Sequence, residues 1–176
     1  MGHLGLKSYT PDSFRDLAKF VKYASDVFAN ARDQVFNGYL AAFNQDYEFC
    51  QDCPLVLNIG ENHYEISTQQ DEEISLTKND IDFEEEITWL AEDKWKWQKS
   101  GLLHLDALKG FVVKHIKIVG LDYGASGVAI HGILIDFLDS QEELVKLLIR
   151  TNYDRVELME LDEDTAEEPK IFEECF

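Results

Sequence analysis

The chain has 176 residues, 35 of them acidic against 16 Lys and Arg, which gives a formal charge of −19 and a pI near 4.4. That balance excludes a nucleic-acid binder working through a basic surface, because phosphate recognition depends on Lys and Arg. With 45% hydrophobic and 12% aromatic residues the chain is not wholly disordered, and its length predicts one compact domain over 1–161 followed by an acidic mobile tail over 162–176.

The first residues hold a lone Lys7 and no apolar run of signal-peptide length. Met1 and Gly2 open like a myristoylation signal, but Leu6 stands where that signal needs Ser or Thr. No later stretch approaches the length of a membrane span, and three cysteines, an odd number, suit a reducing compartment. The expected location is the cytoplasm.

In chain order, Thr10, Pro11 and Asp12 form a helix start: a capping hydroxyl, proline at the first helical position, and an acid at the positive end of the dipole. Phe14, Leu17, Val21, Ala24, Phe28, Ala31 and Val35 follow at steps of three and four, so the spacing predicts a long N-terminal helix reaching Gly38 and extending toward Phe43. A straight helix over 11–43 would run about 50 Å, longer than a domain of this size is wide, so it must bend, break near Gly38 or project. Phe14, Val21, Phe28 and Val35 repeat every seven residues, which also fits a coiled-coil seam and a homodimer through the 11–43 helix. Packing on the chain's own sheet is the simpler use of the same stripe.

Residues 44–54 read as a polar connection carrying Cys50 and Cys53, followed by three short antiparallel strands over 55–59, 63–67 and 73–77. Asn79 or Asp80 is placed to cap a helix through Phe83, Ile87 and Leu90, with Glu84, Glu85 and Glu86 in its first turns. Residues 93–99 alternate like a strand, and 102–108 form a short helix before Gly110. Two β-branched runs, 111–119 and 128–137, flank a loop dense in glycine, and the second is apolar on both faces as a central strand would be. Ser140 and Glu143 make a capping box ahead of Leu144, Val145, Leu147 and Leu148, predicting a second helix near 140–151. Residues 155–161 alternate as a final strand. The expected class is α+β: a mostly antiparallel sheet covered on one face by the long N-terminal helix and the helix near 140–151.

Catalytic patterns are weak. Cys50 and Cys53 have redox or metal spacing, but Pro54 and a strand follow where a helix N-terminus would activate the first thiol. A tetrahedral zinc would need two more ligands, for which only His63 and Cys175 offer themselves, so no cofactor or metal is expected. Gly120, Gly124 and Gly127 lead into a strand and not a helix, unlike a phosphate cradle. His115 and His131 face each other only if their hairpin is centred on Tyr123, and a slip of one residue parts them. An enzyme built on either histidine and a carboxylate in a cleft is the alternative reading.

The charge is segregated. Residues 61–93 carry −11 and residues 157–174 carry −8, so the rest of the chain is neutral, with a basic island of six lysines between Lys94 and Lys117. Clustering of this kind costs self-repulsion, and it points to a non-enzymatic interaction protein that presents a negative surface to a basic protein partner. Immunity proteins, inhibitors of nucleic-acid enzymes and DNA mimics work this way. The expected partner-binding residues are Asp71, Glu72, Glu73, Glu84, Glu85 and Glu86, with Trp95 and Trp97 as an aromatic recognition patch.

Overall fold

A computed structural model describes residues 5–69, 73–88, 94–122, 127–152, 155–161 and 171–174. Two antiparallel sheets pack face to face. The first contains β1 (Ser13–Phe14), β2 (Phe36–Phe43), β3 (Leu55–Ile59), β4 (Asn62–Gln69), β5 (Glu73–Lys78) and β6 (Lys96–Gln98), in the order β1-β5-β4-β3-β2-β6. The second contains β7 (Val112–Asp122), β8 (Val128–Leu138), β9 (Leu144–Asn152), β10 (Arg155–Glu160) and β11 (Ile171–Glu174), in the order β10-β9-β8-β7-β11. Two helices, α1 (Leu17–Phe28) and α2 (Leu103–Ala107), complete the described elements, so the class is α+β with strands predominating.

Between the sheets, Tyr39, Leu57 and Ile66 of the first meet Ile116, Ile133 and Ile149 of the second, and the rings of Phe36 and Phe137 meet edge-on at 5.4 Å. The sheets are also hydrogen-bonded at one corner. Phe36 N–H donates to Phe111 O, Gly110 N–H to Phe36 O, and Asp33 N–H to Val113 O, each at 2.8 Å. Helix α1 adds Phe20, Val21, Ala24 and Phe28 to the same core. Each sheet has a smaller apolar layer on its outer face: Leu6, Tyr9, Ile81 and Ile87 over the first, and Val119, Leu134 and Leu148 on the second.

The long N-terminal helix is corrected. Its cap is Asp16, whose carboxylate accepts Lys19 N–H at 2.9 Å, because Ser13 and Phe14 are taken up as β1 opposite Ser75 and Ile74. It ends at Phe28, and Phe36–Phe43 is a strand. Tyr39 through Ala42 are buried consecutively on both faces, and a strand buried on both sides has no period of two to distinguish it from a helix continuing at steps of three and four. The stripe that resembled a dimer seam serves this chain's own core at Val21, Ala24, Phe28 and Ala31.

The helix near 140–151 is also corrected, to β9. Asp139 Oδ1 accepts the N–H groups of Gln141 at 2.7 Å and Glu143 at 2.8 Å, and Glu142 takes a φ of 65°, so the chain reverses and pairs Leu144 with Leu138. The expected capping box thus became an aspartate-closed hairpin turn. Nor does a helix form over 81–88, while 89–93, with Trp89, lie outside the described residues. Within the expected tail Ile171–Glu174 pair with β7, while 162–170 and 175–176 lie outside the described residues. The three strands over 55–77, the short helix after 102 and the hairpin from 112 form as the sequence predicts.

Candidate functional site

Side-chain alternation along β4 and β5 sends Tyr64, Ile66 and Leu76 into the main core and turns Glu65, Ser67 and Thr77 to the outer face. There Tyr9 covers them. Glu65 is fully buried, accepts the Thr77 hydroxyl at 2.7 Å and Asp80 N–H at 3.0 Å, and its carboxyl is pushed above the usual range by burial. Thr77 Oγ1 also lies 3.0 Å from the Tyr9 hydroxyl, which burial pushes up in turn. This polar nest fixes where the chain leaves β5. Asn79, at a φ of 56°, accepts His63 N–H on its side chain at 2.8 Å and binds Asn62 Oδ1 at 3.0 Å.

From Asp80 the chain crosses the outer face through a turn in which Glu85 N–H donates to Asp82 O at 3.1 Å, and the burial of its residues alternates. Ile81 and Ile87 are buried, Phe83 and Glu85 are half-buried, and Asp80, Asp82, Glu84 and Glu86 are exposed. The ring of Phe83 lies tilted against His63 at 5.2 Å and meets Trp97 edge-on at 5.5 Å. Asp82 Oδ1 accepts Glu84 N–H at 3.0 Å. Glu85 reaches inward and accepts the Ser8 hydroxyl and the N–H groups of Lys7 and Ser8, led by the hydroxyl in holding its carboxyl below the usual range. Thr88 donates both its N–H and its hydroxyl to Gly5 O, at 2.8 and 2.9 Å. Loop 80–88 therefore clamps residues 5–8 with one set of side chains and turns four carboxylates outward with the other.

No Lys or Arg ion pair among the described residues reaches Asp80, Asp82, Glu84 or Glu86. A groove of about 270 Å³ between Asp12, Tyr23, Thr77 and Asp80 borders this surface on the helix side. Trp95 and Trp97 are half-buried against this layer, each with an indole N–H that finds no acceptor among the described residues, and Lys94 and Lys96 are exposed beside them.

Of the residues expected to bind a partner, Glu84, Glu86, Trp95 and Trp97 fall together here. Glu85 is engaged as described, and Glu73 sits at β1, where the Ser13 hydroxyl and then the Arg15 guanidinium hold its carboxyl low. Asp71 and Glu72 lie outside the described residues. Asp80, Asp82, His63 and Phe83 went unnoticed, although the alternation from Asp80 to Phe83 was their signal. The second acidic block lies on the other sheet, where Arg150 binds Glu157 through two nitrogens at 2.6 and 2.8 Å and His104 lies 3.3 Å from Glu160.

The histidine pair does not form. His115 stands opposite Asp136, with Nδ1 3.3 Å from a carboxylate oxygen that Lys117 Nζ also approaches at 3.0 Å, while His131 falls at the bulge beside Gly132 and Ile130. Asp136 is 2% exposed, so the trio is a buried-carboxylate ion cluster on a sheet face and opens into no groove described in this fold. Cys50 and Cys53 are joined in a disulfide within the outer layer of the first sheet. No helix is long and apolar enough to cross a membrane among the described residues. No protein-family model matches the chain, and no curated protein or solved structure is significantly similar to it.

Proposed function

We propose that this chain is a non-enzymatic interaction protein whose 80–86 loop presents carboxylates to a basic protein partner, in the manner of an immunity protein, an enzyme inhibitor or a DNA mimic. The observation that carries the reading is the outward row of Asp80, Asp82, Glu84 and Glu86, laid over an aromatic layer and ion-paired with no lysine or arginine among the described residues. Carboxylates that stabilised only the fold would have been neutralised internally, as Glu73, Glu85 and Glu157 are. A fixed row of like charge raises the association rate with a cationic surface and penalises anionic competitors. His63, Phe83 and Trp97 supply apolar contact within the charged rim, which is the usual layout of a binding patch.

The test compares two double charge reversals with the same change in net charge. Glu84→Lys with Glu86→Lys lowers affinity for a lysine-rich polypeptide about tenfold or more, with the loss shrinking as salt screens beyond about 10 Å. Asp26→Lys with Glu143→Lys, at exposed positions on α1 and the β8–β9 turn, has a much smaller effect. Equal losses from the two pairs would defeat the reading, since net charge alone would then explain binding. The same proposal places the protein in the cytoplasm, a location against which the Cys50–Cys53 disulfide counts and which the distribution of a fluorescent fusion in intact cells checks.

A further inference from the structure

The second sheet ends on β10, and the bonding along that strand shows which backbone groups face outward. Leu161 N–H donates to Lys146 O at 3.0 Å across the ladder, so Met159, Glu157 and Arg155, at alternate positions back from it, turn their N–H and C=O groups toward β9. Val156, Leu158 and Glu160 turn theirs to the edge. Gln51 O takes Val156 N–H at 3.0 Å, but among the described residues no backbone bond reaches the outward groups of Leu158 or Glu160.

Beside this open stretch lies a groove of about 460 Å³ between β10, α2 and the 49–51 loop. Phe49, Leu102, Val156 and Leu158 line it, and Leu103 at its rim is 84% exposed, the most exposed of the large apolar side chains described. Its polar groups are few: Gln51, His104 and the Arg150–Glu157 pair. An unpaired edge is a template for another strand, and an apolar trough next to it gives alternate side chains of that strand a place to go.

We propose that this edge is a strand-addition site, in which an extended segment of a basic protein partner pairs its backbone with Leu158 and Glu160 and seats an apolar side chain against Phe49 and Leu103. The sign of the occupant follows from charge. A second copy of the chain would set a further −19 against this one, whereas a segment flanked by Lys or Arg would be drawn by that net charge, although at the edge itself Glu157 is bound by Arg150 and Glu160 lies against His104. The inference rests on the proposed basic partner for the sign of that flanking charge alone.

Residue-resolved amide exchange on the whole chain tests it, using three capped octapeptides: alternating valine and lysine, the same with glutamate for lysine, and the lysine peptide N-methylated at alternate residues. The lysine peptide slows exchange at Leu158 and Glu160 tenfold or more, and the other two do not. Protection by the N-methylated peptide would overturn strand pairing, and protection that rises with protein concentration alone would assign the edge to a second copy instead. Equal protection by the glutamate peptide would overturn the sign of the charge and the basic-partner reading with it. No protection by any peptide, while a lysine-rich polypeptide still distinguishes Glu84 and Glu86, would overturn the edge site and leave the loop reading standing.

Discussion

Gly132→Ala probes the pairing of β8 with β9, the point on which the structure departs furthest from the periodicity of the sequence. Gly132 is buried in mid-strand, opposite Arg150 on one side and Val119 on the other. Extended backbone there suits any residue, so glycine is required by space alone. A Cβ at that position would stand 2.3 Å from Ile149 O and 2.7 Å from Arg150 Cα. Both are main-chain atoms of the next strand and cannot rotate away, so the strands must part locally. Overpacking of this kind costs about 1–3 kcal/mol. Alanine recovers about 0.4–1 kcal/mol by restricting the unfolded chain, so the middle of the overpacking range, about 2 kcal/mol, leaves a net loss of about 1–2 kcal/mol. At about 2–4 °C per kcal/mol, the melting temperature falls by about 2–8 °C. With a slope of about 2 kcal/mol per molar, the urea midpoint falls by about 0.5–1 M, read by tryptophan fluorescence. An unchanged or raised midpoint would refute the reasoning, because with a helix over 140–151 no strand would stand at Ile149 and the loss of glycine would stabilise.

Three further outcomes are expected. Burial raises the Glu65 carboxyl above its ordinary 4.5, so the wild type loses stability as pH climbs from that value through the raised one; Glu65→Gln does not titrate, and its urea midpoint should gain on the wild type as pH rises above about 4.5. A constant gap would contradict the burial argument. Asp139→Ala removes the two hydrogen bonds that close the β8–β9 turn and should cost about 1–2 kcal/mol in urea unfolding. Glu85→Gln should speed amide exchange at Lys7 and Ser8 while leaving core amides such as Ile133 unaltered, and unchanged exchange at those two residues would show that the clamp is held by Thr88 alone.

Where one face of a strand meets the core and the other meets polar surroundings, the sequence was legible. Residues 63–67 and 73–77 alternate visibly and form β4 and β5. Where both faces carry apolar side chains the outcome was mixed, since 128–137 read correctly as a central strand and two other segments did not. Residues 39–42 and 144–149 have apolar side chains facing both ways, and nothing in their order separates a central strand from a helix. The histidine hairpin failed for a different reason. Its register shifts between Val113 and His115 and again between Val119 and Gly120, and a bulge leaves no mark in a single sequence that would place it.

The candidate site divides in the same way. Composition and spacing alone determined that the surplus charge lies in two blocks, that Glu84 and Glu86 belong to the first, and that an α+β chain carries them. Which carboxylates face solvent was decided only in three dimensions, by where the chain crosses the outer face of the first sheet. Charge is a property of a residue and survives in any fold, but its availability depends on neighbours brought from far along the chain. Ser8 claims Glu85 and Arg15 claims Glu73 across separations no local pattern records, while the turn closed by Glu85 N–H on Asp82 O leaves the side chains of Asp80, Asp82, Glu84 and Glu86 exposed.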